Sequence, residues 1–204
     1  MHSSHHPQTG QTTQVLSVDQ SDKQKLRPRF RQQREQDDLS KLNSTIQSNT
    51  LQICQQHRVT TDQAIGIYWP LAGEIDLRPL RASLHHSLAL PVADGSGNLS
   101  YKPWQQAPLQ PDGCGIPAPA EGDALGPDQL ALLLVPALAV DGDGIRLGYG
   151  GGYYDRLRAD PNWAAVPAWL VLPSACVTTE PLPRDPWDVP FSGWITEKGA
   201  GRPA

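Results

Sequence analysis

No run in the sequence approaches the ~20 consecutive apolar residues that a helix needs to cross a bilayer. The first residues carry no apolar core of the kind a secretory signal requires, so a cytoplasmic protein is expected. Cysteine is scarce. Cys54, Cys114 and Cys176 are odd in number, far apart and free of CxxC spacing, which indicates neither a disulfide framework nor a zinc site and fits a reducing cytosol. Excess positive charge is also missing. The formal net charge is −4, whereas general nucleic-acid binders carry a strongly basic face. Neither a nucleic acid nor a membrane is expected as partner, and any phosphate site has to be local.

What is present is enough for one sizeable core: 204 residues, 38% of them hydrophobic. The 20 prolines and 18 glycines follow no collagen period and read as loops. Residues 1–20 are rich in Ser, Thr, Gln and His without hydrophobic periodicity, as in a disordered tail; His2, His5 and His6 read as solvated there, since a metal site needs several ligands in fixed geometry. Residues 21–198 are expected to form a single α/β domain and residues 199–204 a C-terminal tail. A monomer is favoured.

Ser21 and Gln24 have capping-box spacing, with Leu26 and Phe30 following at i,i+4. Pro28 removes a helical hydrogen bond, so a helix here is expected to start later or to bend near Arg27. Leu39, Leu42, Ile46 and Ile53 share one face of a second helix ending before Arg58. Ala64–Trp69 reads as a strand stopped by Pro70, and Leu77, Leu80, Leu84 and Leu88 as a helix. Strands are expected at Leu88–Val92 and Leu99–Lys102, joined by the turn-forming run from Asp94 to Asn98. Residues 113–126, rich in Pro and Gly, read as a long surface connection. Leu130–Val135 is the most apolar run and should be the central parallel strand. A glycine-rich loop, a short helix near Tyr153 and strands at Ala168–Leu172 and Phe191–Thr196 complete an alternating pattern that predicts a layered α/β fold with a mostly parallel sheet.

In such sheets ligands bind at the carboxyl ends of the strands, where the segment from Asp141 to Arg156 falls. Gly148, Gly150, Gly151 and Gly152 allow positive φ and let backbone N–H groups approach an anion. The helix beginning next adds its positive end. Arg146 and Arg156 are candidates to meet phosphate oxygens, and Asp155 a candidate magnesium ligand. The order matches neither the dinucleotide fingerprint nor the P-loop. A tight glycine turn whose Tyr153 and Tyr154 pack on the sheet remains the alternative.

The string RLGYGGGYYDR at Arg146 to Arg156 closely resembles the signature of the 5-formyltetrahydrofolate cyclo-ligase (5,10-methenyltetrahydrofolate synthetase) family. Four further segments resemble that family in order: Lys23-Gln-Lys-Leu-Arg27, Tyr68-Trp-Pro-Leu-Ala-Gly-Glu74-Ile, Gly115-Ile-Pro-Ala-Pro119 and Pro186-Trp-Asp188-Val-Pro. Leu133 to Asp141 is similar to the strand before the family's loop. The resemblance implies an enzyme with a three-layer α/β fold, a mostly parallel sheet and helices on both faces, related to some sugar-phosphate isomerases and coenzyme A transferases. It implies ATP-dependent cyclisation of 5-formyltetrahydrofolate to 5,10-methenyltetrahydrofolate, with ADP and phosphate released and Mg2+ required. Carried residue by residue, it assigns catalysis to Arg146 and Tyr153 and magnesium to Asp155 and Asp188. ATP contacts fall on Lys23, Arg27, Arg146, Leu147, Gly148, Tyr149, Gly150, Gly151, Gly152, Tyr153 and Tyr154, and folate contacts on Trp69, Glu74, Tyr149, Gly150, Gly151, Gly152 and Tyr153.

There are departures. Cys114 stands where relatives usually place an aromatic residue, leaving Trp104 as the candidate for the missing stacking surface. Tyr149 and Gly151 occupy positions that are basic in some relatives. A non-catalytic nucleotide- or folate-binding regulatory module is the alternative reading, against which the loop glycines, Glu74, Asp155 and Asp188 weigh. An RNA-associated protein is disfavoured by the acidic balance.

Overall fold

The computed structural model describes residues 20–35 and 38–203. The tail expected over residues 1–20 therefore lies outside the described residues, except for Gln20, which opens the first helix. In chain order the elements are α1 (Gln20–Glu35), α2 (Leu39–Gln56), β1 (Ala64–Gly66), α3 (Leu80–Ser83), β2 (Ser87–Ala93), β3 (Leu99–Pro103), β4 (Leu109–Pro111), β5 (Pro117–Pro119), β6 (Leu130–Pro136), β7 (Ala139–Asp141), β8 (Arg146–Leu147), α4 (Tyr153–Arg158), α5 (Pro161–Ala165), β9 (Ala168–Val171), β10 (Val177–Thr178), β11 (Gly193–Thr196) and β12 (Gly199–Gly201).

Seven strands form the main sheet in the order β12-β11-β9-β6-β1-β2-β3. The inner pairings are all parallel, and only the edges β3 and β12 run antiparallel to their neighbours. Leu130–Pro136 is the middle strand, as its hydrophobicity predicts. Its side chains alternate between two cores, as the period of two requires. Leu132 and Leu134 pack with Ile46 and Ile53 of α2 and Leu80 of α3, whereas Leu133 and Val135 pack with Phe30 of α1 and Leu157 of α4. Helices thus cover both faces, giving the expected three-layer α/β arrangement.

Several local expectations give way to longer-range forces. Helix α1 runs through Pro28 without interruption. Proline leaves the carbonyl one turn earlier without its helical donor, but the helix is held at several points by tertiary contacts, among them buried Phe30 and the Gln33 amide donating to the Ala175 carbonyl at 2.5 Å. The helix expected over Leu77 to Leu88 shrinks to Leu80–Ser83, and Leu88 belongs to β2. Leu88, Ala89 and Leu90 are buried in succession because both faces of this strand are covered, so its sequence carries no period of two to set against the helical spacing. The proline-rich stretch after Gly113 holds β5, which pairs with β4 through Gln110 and Ala118. Its prolines flank the ladder as they do at edges. The C-terminal tail expected from Gly199 is instead edge strand β12. Gly199, at φ 113°, reverses the chain as few side chains could; a Cβ on Gly201 would lie 2.3 Å from the Trp194 indole nitrogen.

Candidate active site

The middle strand β6 delivers the chain to the carboxyl edge of the sheet, where the β7–β8 hairpin stands between it and the glycine loop. Asp141 holds that hairpin together. Its buried carboxylate accepts the Asp143, Ile145 and Leu182 N–H groups at 2.8–3.0 Å. The loop then runs from Gly148 to Gly152 into α4. Gly150 and Gly152 have φ of 111° and 67°, which explains why glycine stands at both. Each is covered by an arginine: a Cβ on Gly150 would lie 3.4 Å from the Arg27 guanidinium carbon and one on Gly152 2.7 Å from Arg156 Nη1. Helix α4 has only six residues and no side-chain N-cap, so its dipole is small. The positive charge at the loop resides in the arginines.

Two cavities meet at this loop. The first, of about 410 Å³, is charged and is lined by Lys23, Gln24 and Arg27 of α1, by Arg146, Gly148, Gly150, Gly152, Asp155, Arg156 and Ala159, and by Asp185, Trp187 and Asp188. Arg27 Nε donates to the Gly148 carbonyl at 2.9 Å, tying α1 to the loop. Burial, followed by the neighbouring charges of Arg31 and Arg146, lowers the Arg27 pKa below its ordinary value. Lys23 Nζ donates to Asp185 Oδ2 at 2.7 Å and Asp188 Oδ2 at 2.5 Å. Burial disfavours the Lys23 ammonium, but these two carboxylates outweigh it and raise the pKa. Arg146 donates to Asp155 Oδ1 at 3.0 Å and to the Pro136 carbonyl at 3.1 Å. Burial opposes ionisation of Asp155, yet the charge and hydrogen bond of Arg146, with Lys23 and Arg156 beyond, hold its carboxyl below the usual range.

The second cavity, of about 240 Å³, is largely apolar and aromatic. Tyr68, Trp69, Glu74, Cys114, Ile116, Arg146, Tyr149, Gly151, Gly152, Tyr153 and Tyr154 are among its walls. Arg146 and Gly152 border both cavities. Glu74 is the buried acid here. Its Oε2 accepts the Leu71 N–H at 2.8 Å, and burial, exceeding the help of that bond and of the Tyr149 hydroxyl, raises its pKa. Tyr153 OH lies 2.9 Å from Cys114 Sγ. Trp104, the candidate stacking residue, does not border this cavity; it packs edge-on against Trp69 at 6.2 Å between ring centroids.

The residues singled out in the sequence thus sort into two sets. Lys23, Arg27, Arg146, Gly148, Gly150, Gly152, Asp155 and Asp188 face the charged cavity, and Trp69, Glu74, Tyr149, Gly151, Tyr153 and Tyr154 the apolar one. Leu147 borders neither and is buried in the core. Sequence reasoning missed Asp185, although its spacing of three from Asp188 was visible. It also missed Arg34, for which no local signal exists. Among the described residues no group of three or more acidic, His or Cys side chains converges as an all-protein metal cage does. Asp155 and Asp188 nevertheless border one small recess beside Phe191 as well as the charged cavity. Two hard carboxylates open to a phosphate-sized space are the donor set that magnesium takes, with phosphate oxygens and water completing its shell.

A charged cavity and an aromatic one that share Arg146, at the carboxyl edge of a mostly parallel sheet, have the arrangement of an α/β enzyme with two adjoining substrate sites. The family model for the 5-formyltetrahydrofolate cyclo-ligase family matches residues 19–197. The chain is 30% identical over 147 residues to the 5-formyltetrahydrofolate cyclo-ligase of Escherichia coli strain K12, covering 68% of this chain and 80% of that protein. It is 30% identical over 158 residues to the Haemophilus influenzae protein of the same name, covering 72% of this chain and 81% of that protein. The NMR structure of Aquifex aeolicus 5,10-methenyltetrahydrofolate synthetase superimposes with a TM-score of 0.72 at 29% identity, covering 88% of this chain and 92% of that one. A synthetase of the same name from Mycoplasma pneumoniae shares the fold, with a TM-score of 0.66 at 21% identity over 86% of this chain and 99% of that one. The chain belongs to the 5-formyltetrahydrofolate cyclo-ligase family, and it is an ATP-dependent ligase of folate one-carbon metabolism.

Proposed function

We propose that the charged cavity takes the triphosphate of ATP, the apolar cavity takes the pterin of 5-formyltetrahydrofolate, and the reaction runs where they meet, at Arg146. The observation that carries this reading is that Arg146 borders both cavities while its guanidinium is fixed by Asp155 and the Pro136 carbonyl.

The chemistry explains why two sites must adjoin. An amide oxygen is a poor leaving group, so the formyl oxygen attacks the γ-phosphorus and ADP departs. N10 then attacks the activated formyl carbon and closes the ring, the N10 proton passes to water, and the carbon–oxygen bond breaks to release phosphate and leave the methenyl product. The protein aligns the reacting atoms and neutralises charge. Arg146 meets the transferred phosphoryl group from the shared wall. Lys23 and Arg27 contact phosphate oxygens from α1, and the loop glycines allow backbone N–H groups close to them. Glu74 accepts hydrogen bonds from the pterin, with Trp69 and Tyr153 against its ring. Asp155 and Asp188 are suited to hold Mg2+, which when bound neutralises the charge that develops on the phosphates.

In this reading Lys23 exchanges partners. Its ammonium sits on Asp185 and Asp188, and it turns to phosphate when the carboxylates turn to the metal. The expected setting is a cytoplasmic monomer without nucleic-acid or membrane partners; among the described residues no helix is long and apolar enough to cross a membrane. The test is turnover of purified protein with ATP, magnesium and 5-formyltetrahydrofolate, following methenyl product and ADP. All three components are required, and equal product without ATP would contradict the reading.

A further inference from the structure

Arg34 lies in the last turns of α1, 5% exposed, with no place among the residues that face either cavity of the active site. Its Nη2 donates to the Ala137 carbonyl, just past β6, and its Nη1 donates to the Tyr149 hydroxyl. Its Nε has no hydrogen-bond partner among the described residues. A buried guanidinium with an unmet donor is costly, and packing alone does not call for one. The Tyr149 side chain and the Glu74 carboxylate stand in the wall of the same apolar cavity, and the Tyr149 hydroxyl is near enough to oppose the rise in the Glu74 pKa that burial causes. Arg34, Tyr149 and Glu74 therefore stand in series, from α1 through the hydrogen-bonded Tyr149 hydroxyl to the wall of the apolar cavity.

We infer that Arg34 is a positioning residue for the folate substrate: by holding the Tyr149 hydroxyl, it keeps the Glu74 carboxylate in place in the wall of the apolar cavity. This rests on the assignment of Glu74 to the pterin. Glu74 is 7% exposed and has no direct salt-bridge partner among the described residues. The titratable and charged groups around it are the hydroxyls of Tyr68, Tyr149 and Tyr154 and the guanidiniums of Arg34 and Arg146. Of the two cations, Arg34 is the one that donates to the Tyr149 hydroxyl beside it. Burial pushes the Glu74 pKa up, so loss of Arg34 or of the Tyr149 hydroxyl pushes it further.

The experiment compares Arg34→Met, Arg34→Lys, Tyr149→Phe and Glu74→Gln in steady-state kinetics with each substrate varied, across pH. Arg34→Met and Tyr149→Phe are expected to raise KM for 5-formyltetrahydrofolate about tenfold, the size of one charged hydrogen bond, with KM for ATP within about twofold. The acid limb of kcat/KM for folate should move to higher pH in both, and Arg34→Lys should move it partly back. A purely structural Arg34 would instead change both KM values together and leave the limb in place, which overturns the inference. If Arg34→Met does not fold, Tyr149→Phe alone decides, because it removes the hydroxyl and leaves the charge. Glu74→Gln separates the two readings. If it leaves folate KM unchanged, the pterin assignment fails and this inference with it; if it raises folate KM while the other variants do not, only the inference fails.

Discussion

The two cavities that meet at Arg146 are held in different ways. The charged cavity is assembled from segments far apart in the chain, α1, the glycine loop and the Asp185–Asp188 turn, and its opposite charges satisfy one another. Lys23 bridges two carboxylates and Arg146 holds a third. The apolar cavity is lined largely by apolar and aromatic side chains, and its buried acid, Glu74, accepts a backbone N–H. On the proposed assignment, the contrast makes phosphate binding an exchange of ionic partners and folate binding entry into a preformed aromatic slot.

The sharpest way to break the comparison is to remove a charge on the exchanging side. Asp155→Asn keeps side-chain size but removes the charge proposed to hold the metal and the ionic partner of Arg146, and it should lower kcat by about a hundredfold or more. Steady-state rates against magnesium concentration check this, and wild-type magnesium dependence would return Asp155 to a structural role. Next come Arg27→Ala and Lys23→Ala, each expected to cost about ten- to a hundredfold in kcat/KM for ATP, with folate KM at saturating ATP changed less. The two should differ in stability. Lys23→Ala leaves Asp185 and Asp188 close together without their cation and should lower Tm by roughly 5–10 °C, whereas Arg27→Ala loses one hydrogen bond to the Gly148 carbonyl and should lower Tm by only about 2–4 °C. Differential scanning calorimetry of the pair reads this directly.

The smallest effect belongs to the preformed side. Glu74 has a folded pKa above its ordinary value of 4.5, so between 4.5 and the raised value the folded state holds a proton that the unfolded state has lost. Wild-type stability therefore falls relative to Glu74→Gln as pH rises through that window, and the difference is constant above it. Denaturant unfolding of both proteins from pH 4 to 8 checks the sign.

How much of this was legible in the sequence follows from which forces are local. The apolar run at Leu130–Val135 announces a strand covered on both faces, and the glycines at 150 and 152 announce positive φ. The helical spacing of Leu77 to Leu88 misleads because a strand buried on both faces is apolar at every position. Helix α1 persists through Pro28 because contacts from distant residues outweigh one lost hydrogen bond. The division of the loop between two cavities was also hidden. Tyr149 and Tyr153 turn toward the apolar side and Gly148 and Gly150 toward the charged side, and a string of neighbours does not reveal which way each faces. Arg34 lies outside the family-like segments, and its bond to Tyr149 spans 115 positions.

The central claim is that the two substrates react across the wall occupied by Arg146. Arg146→Ala and Arg146→Lys, assayed by single-turnover kinetics beside equilibrium binding of ADP and of 5-formyltetrahydrofolate, test it most directly. The account predicts that both ligands still bind within about tenfold of wild type while the chemical step slows by about a hundredfold or more. A chemical step at the wild-type rate, with the loss confined to binding of one ligand, would contradict it.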